Sequence, residues 1–126
     1  MAEMTTEDRK ALPFLQLVQW AWKETPPVHG DRVNLLIHLV AVPLFVTGHM
    51  LLIAAIFAYA WFALAGFSMI VASLVAQKMG HAQERIEVAP FAGAKDFVRR
   101  LYAEQFCNFW RFLLSGGWSA AFRRSA

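Results

Sequence analysis

The sequence predicts an all-α membrane protein: a two-span transmembrane helical hairpin flanked by amphipathic interfacial helices. Three observations predict it. First, residues 35–77 contain no Lys, Arg, Asp or Glu. A spanning helix needs roughly 20 apolar residues, so this run is long enough for two. Second, 58% of the 126 residues are hydrophobic and the mean hydropathy is +0.41, above the usual range of soluble domains. A soluble protein of this length has too little other surface to cover two such helices. Third, all 12 Lys and Arg lie outside the run. Arg9, Lys10, Lys23 and Arg32 precede it, and Lys78, Arg85, Lys95, Arg99, Arg100, Arg111, Arg123 and Arg124 follow it. The positive-inside rule then puts both termini in the cytoplasm. The whole chain, 1–126, reads as one membrane domain.

The elements follow in order. Residues 5–25 read as an amphipathic helix, capped by Thr5 or Thr6 and stopped by Pro26 and Pro27, with Pro13 near its start. It is too short and too polar to span, and suits the interface. Residues 33–57 form the first span, bent at Pro43, and residues 60–78 the second. Tyr59 and Trp61 suit the far interface, and Gly48 and Gly66 permit close helix contact. The apolar run begins late, behind acidic residues and prolines, so the first span itself is expected to act as the insertion signal. Residues 79–94 form a polar connector punctuated by Gly80, Pro90 and Gly93. Residues 95–115 form a second amphipathic helix. Val98, Leu101, Tyr102, Phe106, Phe109, Phe112 and Leu113 share one arc of it, and Arg99, Arg100, Glu104 and Arg111 the other. Gly116 and Gly117 end it.

A hairpin folds three of the four histidines to one end. His38 lies about one turn inside the first span, His29 just before that span, and His81 just past the second. Three neutral imidazoles leave positions open on a metal for water, oxygen or substrate. The alternative for each is an ordinary hydrogen-bonded interface residue. His49 lies about 16 Å deeper than His38 at 1.5 Å per residue and is expected to be structural. Asn34, one turn before His38, would orient an imidazole or cap the helix. Glu84, three residues after His81, would ligate a metal or pair with Arg85 or Lys78. The only cysteine, Cys107, excludes an intrachain disulfide. The net charge of +3 reads as attraction to a membrane surface, and no basic patch suggests nucleic-acid binding.

The pattern His29-x4-Asn34-x3-His38-x4-Pro43, followed by Gly80-His81 and Glu84, resembles the small membrane proteins related to the fungal 2-hydroxy fatty acid dioxygenase. The segment EQFCNFWRFLLSGGW is similar to the same stretch of bacterial members, and the resemblance covers residues 25–118. Ala41 departs from the glycine of many members, and the chain is shorter than the fungal enzyme. The resemblance implies an Fe(II)-dependent dioxygenase of α-oxidation, which shortens a 2-hydroxy fatty acid by one carbon with molecular oxygen. It implies His29, His38 and His81 as the iron ligands. Arg32, Lys78 and Arg85 are then candidates to hold the substrate carboxylate, or to anchor to anionic headgroups. The expected partners are membrane lipid, the 2-hydroxy fatty acid and oxygen, with a homodimer suited to burying the apolar faces of so small a hairpin. The Ala- and Arg-rich composition points to a bacterial inner membrane, or to the endoplasmic reticulum in a eukaryote. Two rivals stand beside this reading: a non-catalytic membrane scaffold, and a zinc- or haem-binding protein using the same histidines.

Overall fold

The computed structural model describes residues 4–125, and the terminal residues of the 1–126 domain lie outside them. Every element among the described residues is helical. Two of the helices, α3 (Arg32–Phe57) and α4 (Trp61–His81), are long and apolar enough to cross a membrane. The others are α1 (Thr6–Lys10), α2 (Phe14–Glu24), α5 (Ala94–Ala103), α6 (Phe109–Leu114) and α7 (Gly117–Arg124). A π-helical turn, Glu104–Asn108, joins α5 to α6.

The helix expected over 5–25 is two helices. Thr5 caps α1 in a reciprocal box with Asp8. Pro13 then interrupts the chain, because it lacks an N–H and its ring clashes with the preceding turn. The guanidinium of Arg99 takes up the carbonyls left free at the break, donating to those of Lys10 and Leu12.

Helices α3 and α4 lie side by side in opposite directions. Gly48 meets Gly66, the Ala41 carbonyl accepts from the Ser73 hydroxyl, and Asn34 meets Gly80. The contact at the two glycines is backbone against backbone. A β-carbon at Gly48 would lie 2.7 Å from the Gly66 carbonyl oxygen and 2.8 Å from Ile70 Cγ1. Gly48→Val is therefore expected to cost about 1–3 kcal/mol by overpacking. Thermal unfolding in detergent checks this, and wild-type stability in the variant would contradict it.

The second long helix runs to His81, three residues beyond its expected end at residue 78. Gly80 does not stop it. Its missing side chain is what lets Asn34 approach, since a β-carbon there would overlap Asn34 Oδ1.

The remaining helices wrap one end of this pair. Leu35, Phe112 and Ala121 are buried together there, with Trp22, Trp118 and Phe122 packed against them. At the other end Ile53, Ile56, Phe57, Trp61, Leu64 and Phe67 stay exposed.

The segment expected as one helix over 95–115 departs from a regular wheel. The π turn inserts one residue, so the two halves present different faces. Phe109 and Phe112 are buried, whereas Val98 is exposed and Tyr102 and Phe106 lie part-exposed against Phe45 and His49 of α3. Two residues expected on the polar side, Arg100 and Glu104, turn inward. Arg100 joins Arg9 around the buried Asp96 carboxylate, at 3.6 Å and 3.1 Å. Both guanidiniums also donate to the Pro90 carbonyl. In the π turn Gln105 and Asn108 are buried too. Gln105 exchanges two hydrogen bonds with Gln77, and Asn108 donates to the Val18 carbonyl.

Gly116 adopts φ +87°, the left-handed end that glycine allows. The chain then starts α7, which the double glycine did not foretell. Trp118 of α7 donates its indole N–H to the Leu35 carbonyl at 3.0 Å.

Candidate metal centre

Three segments bring His29, His38 and His81 together. Pro26 and Pro27 end the chain's run out of α2 in a turn closed by the His29 amide on the Pro26 carbonyl. His38 sits in the second turn of α3, and His81 is the last residue of α4. Their ring centroids are 4.6, 4.7 and 5.1 Å apart. One nitrogen of each lies within 4.8 Å of the other two, so the cluster could hold a metal ion.

The hydrogen bonds decide which nitrogens face each other. His29 Nδ1 lies 2.7 Å from the Thr25 carbonyl, and His38 Nδ1 lies 3.0 Å from the Asn34 carbonyl. A carbonyl only accepts, so both Nδ1 atoms carry the proton and both Nε2 atoms keep a lone pair. These two Nε2 atoms and His81 Nδ1 are buried with no hydrogen-bond partner. Burial favours a neutral His29 ring and pushes its pKa down, against the opposing pull of the Thr25 hydrogen bond and the Glu84 charge. Neutral imidazoles with their outer nitrogens tied to carbonyls are the usual form of metal-ligating histidine.

A carboxylate that sequence reasoning placed on the solvent side completes the surroundings. Glu104 Oε1 is 3.6 Å from His29 Nε2, and it too is buried without a hydrogen-bond partner. Glu104 Oε2 lies 3.3 Å from the Thr25 hydroxyl, whose single proton is shared with the Ala21 carbonyl at 3.1 Å. Burial pushes the Glu104 carboxyl up to about 7, opposed by His81, Thr25 and Arg100. The available clue lay in EQFCN, where Gln105 and Asn108 interrupt an apolar arc and mark the turn that rotates Glu104 inward.

Two expected roles change. Glu84 lies outside the mutually close group of imidazole nitrogens, though its charge reaches His29, and it forms no ion pair with Arg85 or Lys78. Its carboxylate accepts from the amides of Gly30 and Asp31 at 3.0–3.1 Å and from Asn34 Nδ2 at 2.7 Å. It thereby ties the connector to the turn that carries His29. Asn34 is not the cap of α3, because Asp31 is, accepting from the Asn34 amide at 3.1 Å. What orients His38 is the Asn34 backbone carbonyl. The Asn34 side chain instead bridges Val28 and Glu84.

The cations separate. Arg32 and Arg85 line one open cleft with Gly30, Glu84 and Arg124, and none of the three histidines lines it. Lys78 is exposed on α4 away from that cleft. His49 is fully engaged, with Nδ1 donating to the Phe45 carbonyl at 2.9 Å and Nε2 accepting from the Tyr102 hydroxyl at 2.6 Å. Neither nitrogen is left for a metal.

Comparison with models of known protein families, with curated proteins and with solved structures found no match.

Proposed function

We propose that the chain is an integral membrane, Fe(II)-dependent dioxygenase that shortens a 2-hydroxy fatty acid, or a similar lipid, by one carbon. The observation that carries this reading is the set of three buried imidazole nitrogens, two with fixed lone pairs, converging without a hydrogen-bond partner at any of them. A cation satisfies all three at once. Imidazole ligands suit iron, and three protein nitrogens leave positions open for substrate and oxygen. A donor set of this kind also suits zinc. The likeness of the His29/Asn34/His38/Pro43 and Gly80-His81 pattern to the 2-hydroxy fatty acid dioxygenase family supports iron.

The membrane part of the reading rests on two adjacent helices with outward apolar side chains and no charge across 35–77. In this reading α3 and α4 form a transmembrane hairpin, both termini lie in the cytoplasm, and the histidines sit at the cytoplasmic mouth. The exposed Val98 and the exposed edges of Tyr102 and Phe106 then rest α5 and the π turn in the interface.

Iron, when bound, would supply activation of oxygen and an anchor for the substrate's oxygens. The chain's own residues do the rest. His29, His38 and His81 hold the ion, kept in register by the carbonyls of Thr25 and Asn34 at two of them. Arg32 and Arg85, which share a cleft with Gly30 and Glu84, would receive the carboxylate. The acyl chain lies along the apolar face of the hairpin. The overall change, R–CH(OH)–COOH plus O2 giving R–COOH, CO2 and H2O, balances without an added reductant.

The test is reconstitution of the detergent-purified protein with Fe(II) without oxygen, then exposure to 2-hydroxypalmitate and air. The expected result is one iron per chain and a C15 acid. Stoichiometric zinc with no iron uptake, or a haem spectrum, would replace this reading by another metal protein. Absence of any metal would leave a membrane scaffold. Iron without C15 product would sink the substrate and keep the centre.

A further inference from the structure

Glu104 Oε1 has no role in the proposal above, yet it is a buried acceptor at the edge of the three-histidine cluster. It belongs to the π turn, which swings it inward between Thr25 and His29. Its other oxygen is held by the Thr25 hydroxyl at 3.3 Å. Its free oxygen lies 3.6 Å from His29 Nε2 and meets no donor.

The three nitrogens form the mutually close group, and the carboxylate stands outside it. Glu104 is therefore not an equivalent fourth ligand. With a cation on the three nitrogens, whose charge would favour the ionised carboxylate, Oε1 is an unpaired acceptor beside the centre, and what such an arrangement accommodates is an O–H group. Its oxygen would face the metal held by the three histidines, and its O–H would donate a hydrogen bond to Glu104. Among the other buried polar atoms nearby, Asn34 Oδ1 cannot serve, because it is turned against the Gly80 backbone.

The geometry points to Glu104 as the residue that reads the 2-hydroxyl of the substrate, by accepting its hydrogen bond on Oε1 while Thr25 fixes Oε2. This rests on the metal reading above. It makes Glu104 a specificity-determining residue that distinguishes a 2-hydroxy acid from the unsubstituted acid. A site built to bond a hydroxyl penalises the analogue without one, since its own polar group is left unpaired.

Co(II) serves as the probe, because its visible absorption reports its ligands and requires no turnover. Detergent-purified full-length protein is loaded with Co(II) and titrated with 2-hydroxypalmitate and, separately, with palmitate. Wild type binds the 2-hydroxy acid more tightly. Glu104→Ala retains Co(II) and lowers that preference about tenfold, the scale of a hydrogen bond to a charged group. Glu104→Gln, which keeps an acceptor oxygen without the charge, falls between them. If Glu104→Ala holds Co(II) with an undiminished preference, this inference is overturned while the metal reading stands. If the alanine variant does not hold Co(II), Glu104→Gln decides, and a preference equal to wild type overturns the inference. If wild type takes up no Co(II), the metal reading falls and this one with it.

Discussion

Replacing His38 with alanine is expected to abolish the metal binding proposed above. His38 is wholly buried, and its Nε2 faces His29 and His81 with no other partner. Loss of an outer partner of a metal-bound histidine already costs about 10–100-fold in affinity, so loss of the imidazole itself should exceed about 100-fold. Metal content after anaerobic reconstitution measures it directly. Thermal unfolding gives an independent reading. A ligand present at 100 times its Kd stabilises the folded state by about 2.7 kcal/mol, so added metal raises the wild-type Tm. The same addition leaves the Tm of His38→Ala unmoved. Helical circular dichroism of the metal-free variant shows whether the chain has folded. A folded His38→Ala protein that still carries stoichiometric metal would remove the three-histidine centre from consideration.

The second large effect is expected at Glu84, which touches no imidazole nitrogen. Its carboxylate satisfies two backbone amides and the Asn34 side chain, next to the start of α3. Hydrogen bonds to a charged acceptor contribute about 1.5–3 kcal/mol each, less where they are partly exposed as here. The negative charge also complements the helix N-terminus. Glu84→Ala should therefore destabilise the protein by about 2 kcal/mol and, because Gly30 follows His29 directly, loosen the metal site. Metal affinity should fall about 10–100-fold, as for an outer partner. Glu84→Gln keeps one acceptor and should fall between. Titration with Co(II) alongside thermal unfolding separates the two effects. An unchanged affinity in a destabilised Glu84→Ala protein would show that the latch serves stability alone.

Much of the frame was legible in the sequence for a simple reason. Absence of charge over 35–77 is a long, unambiguous signal, and two helices that must lie together bring His38 and His81 to one end. The local departures were not legible, and each has a physical cause. A wheel drawn at a constant angle cannot show a π turn, so Glu104 and Arg100 fell on the wrong side. Gly80 read as a stop, although a glycine deep in a helix contact is kept for space. Gly116 and Gly117 read as the end of the second amphipathic helix, and the sequence did not show that only the first adopts a positive φ while the second begins α7. Asn34 and Glu84 were read through their nearest neighbours in sequence. Their partners come from segments about 50 residues away, which spacing alone cannot reveal.

The Gln77–Gln105 exchange has a consequence for inheritance. Each amide donates to the other's oxygen, at 2.9 and 2.7 Å, so neither side chain is satisfied by itself. Removing one partner strands a buried amide, whereas replacing both by apolar groups of like shape can be nearly neutral. Single changes at either position are thus selected against, and paired changes are tolerated. In the descendants of this chain, positions 77 and 105 should change together or stay as they are.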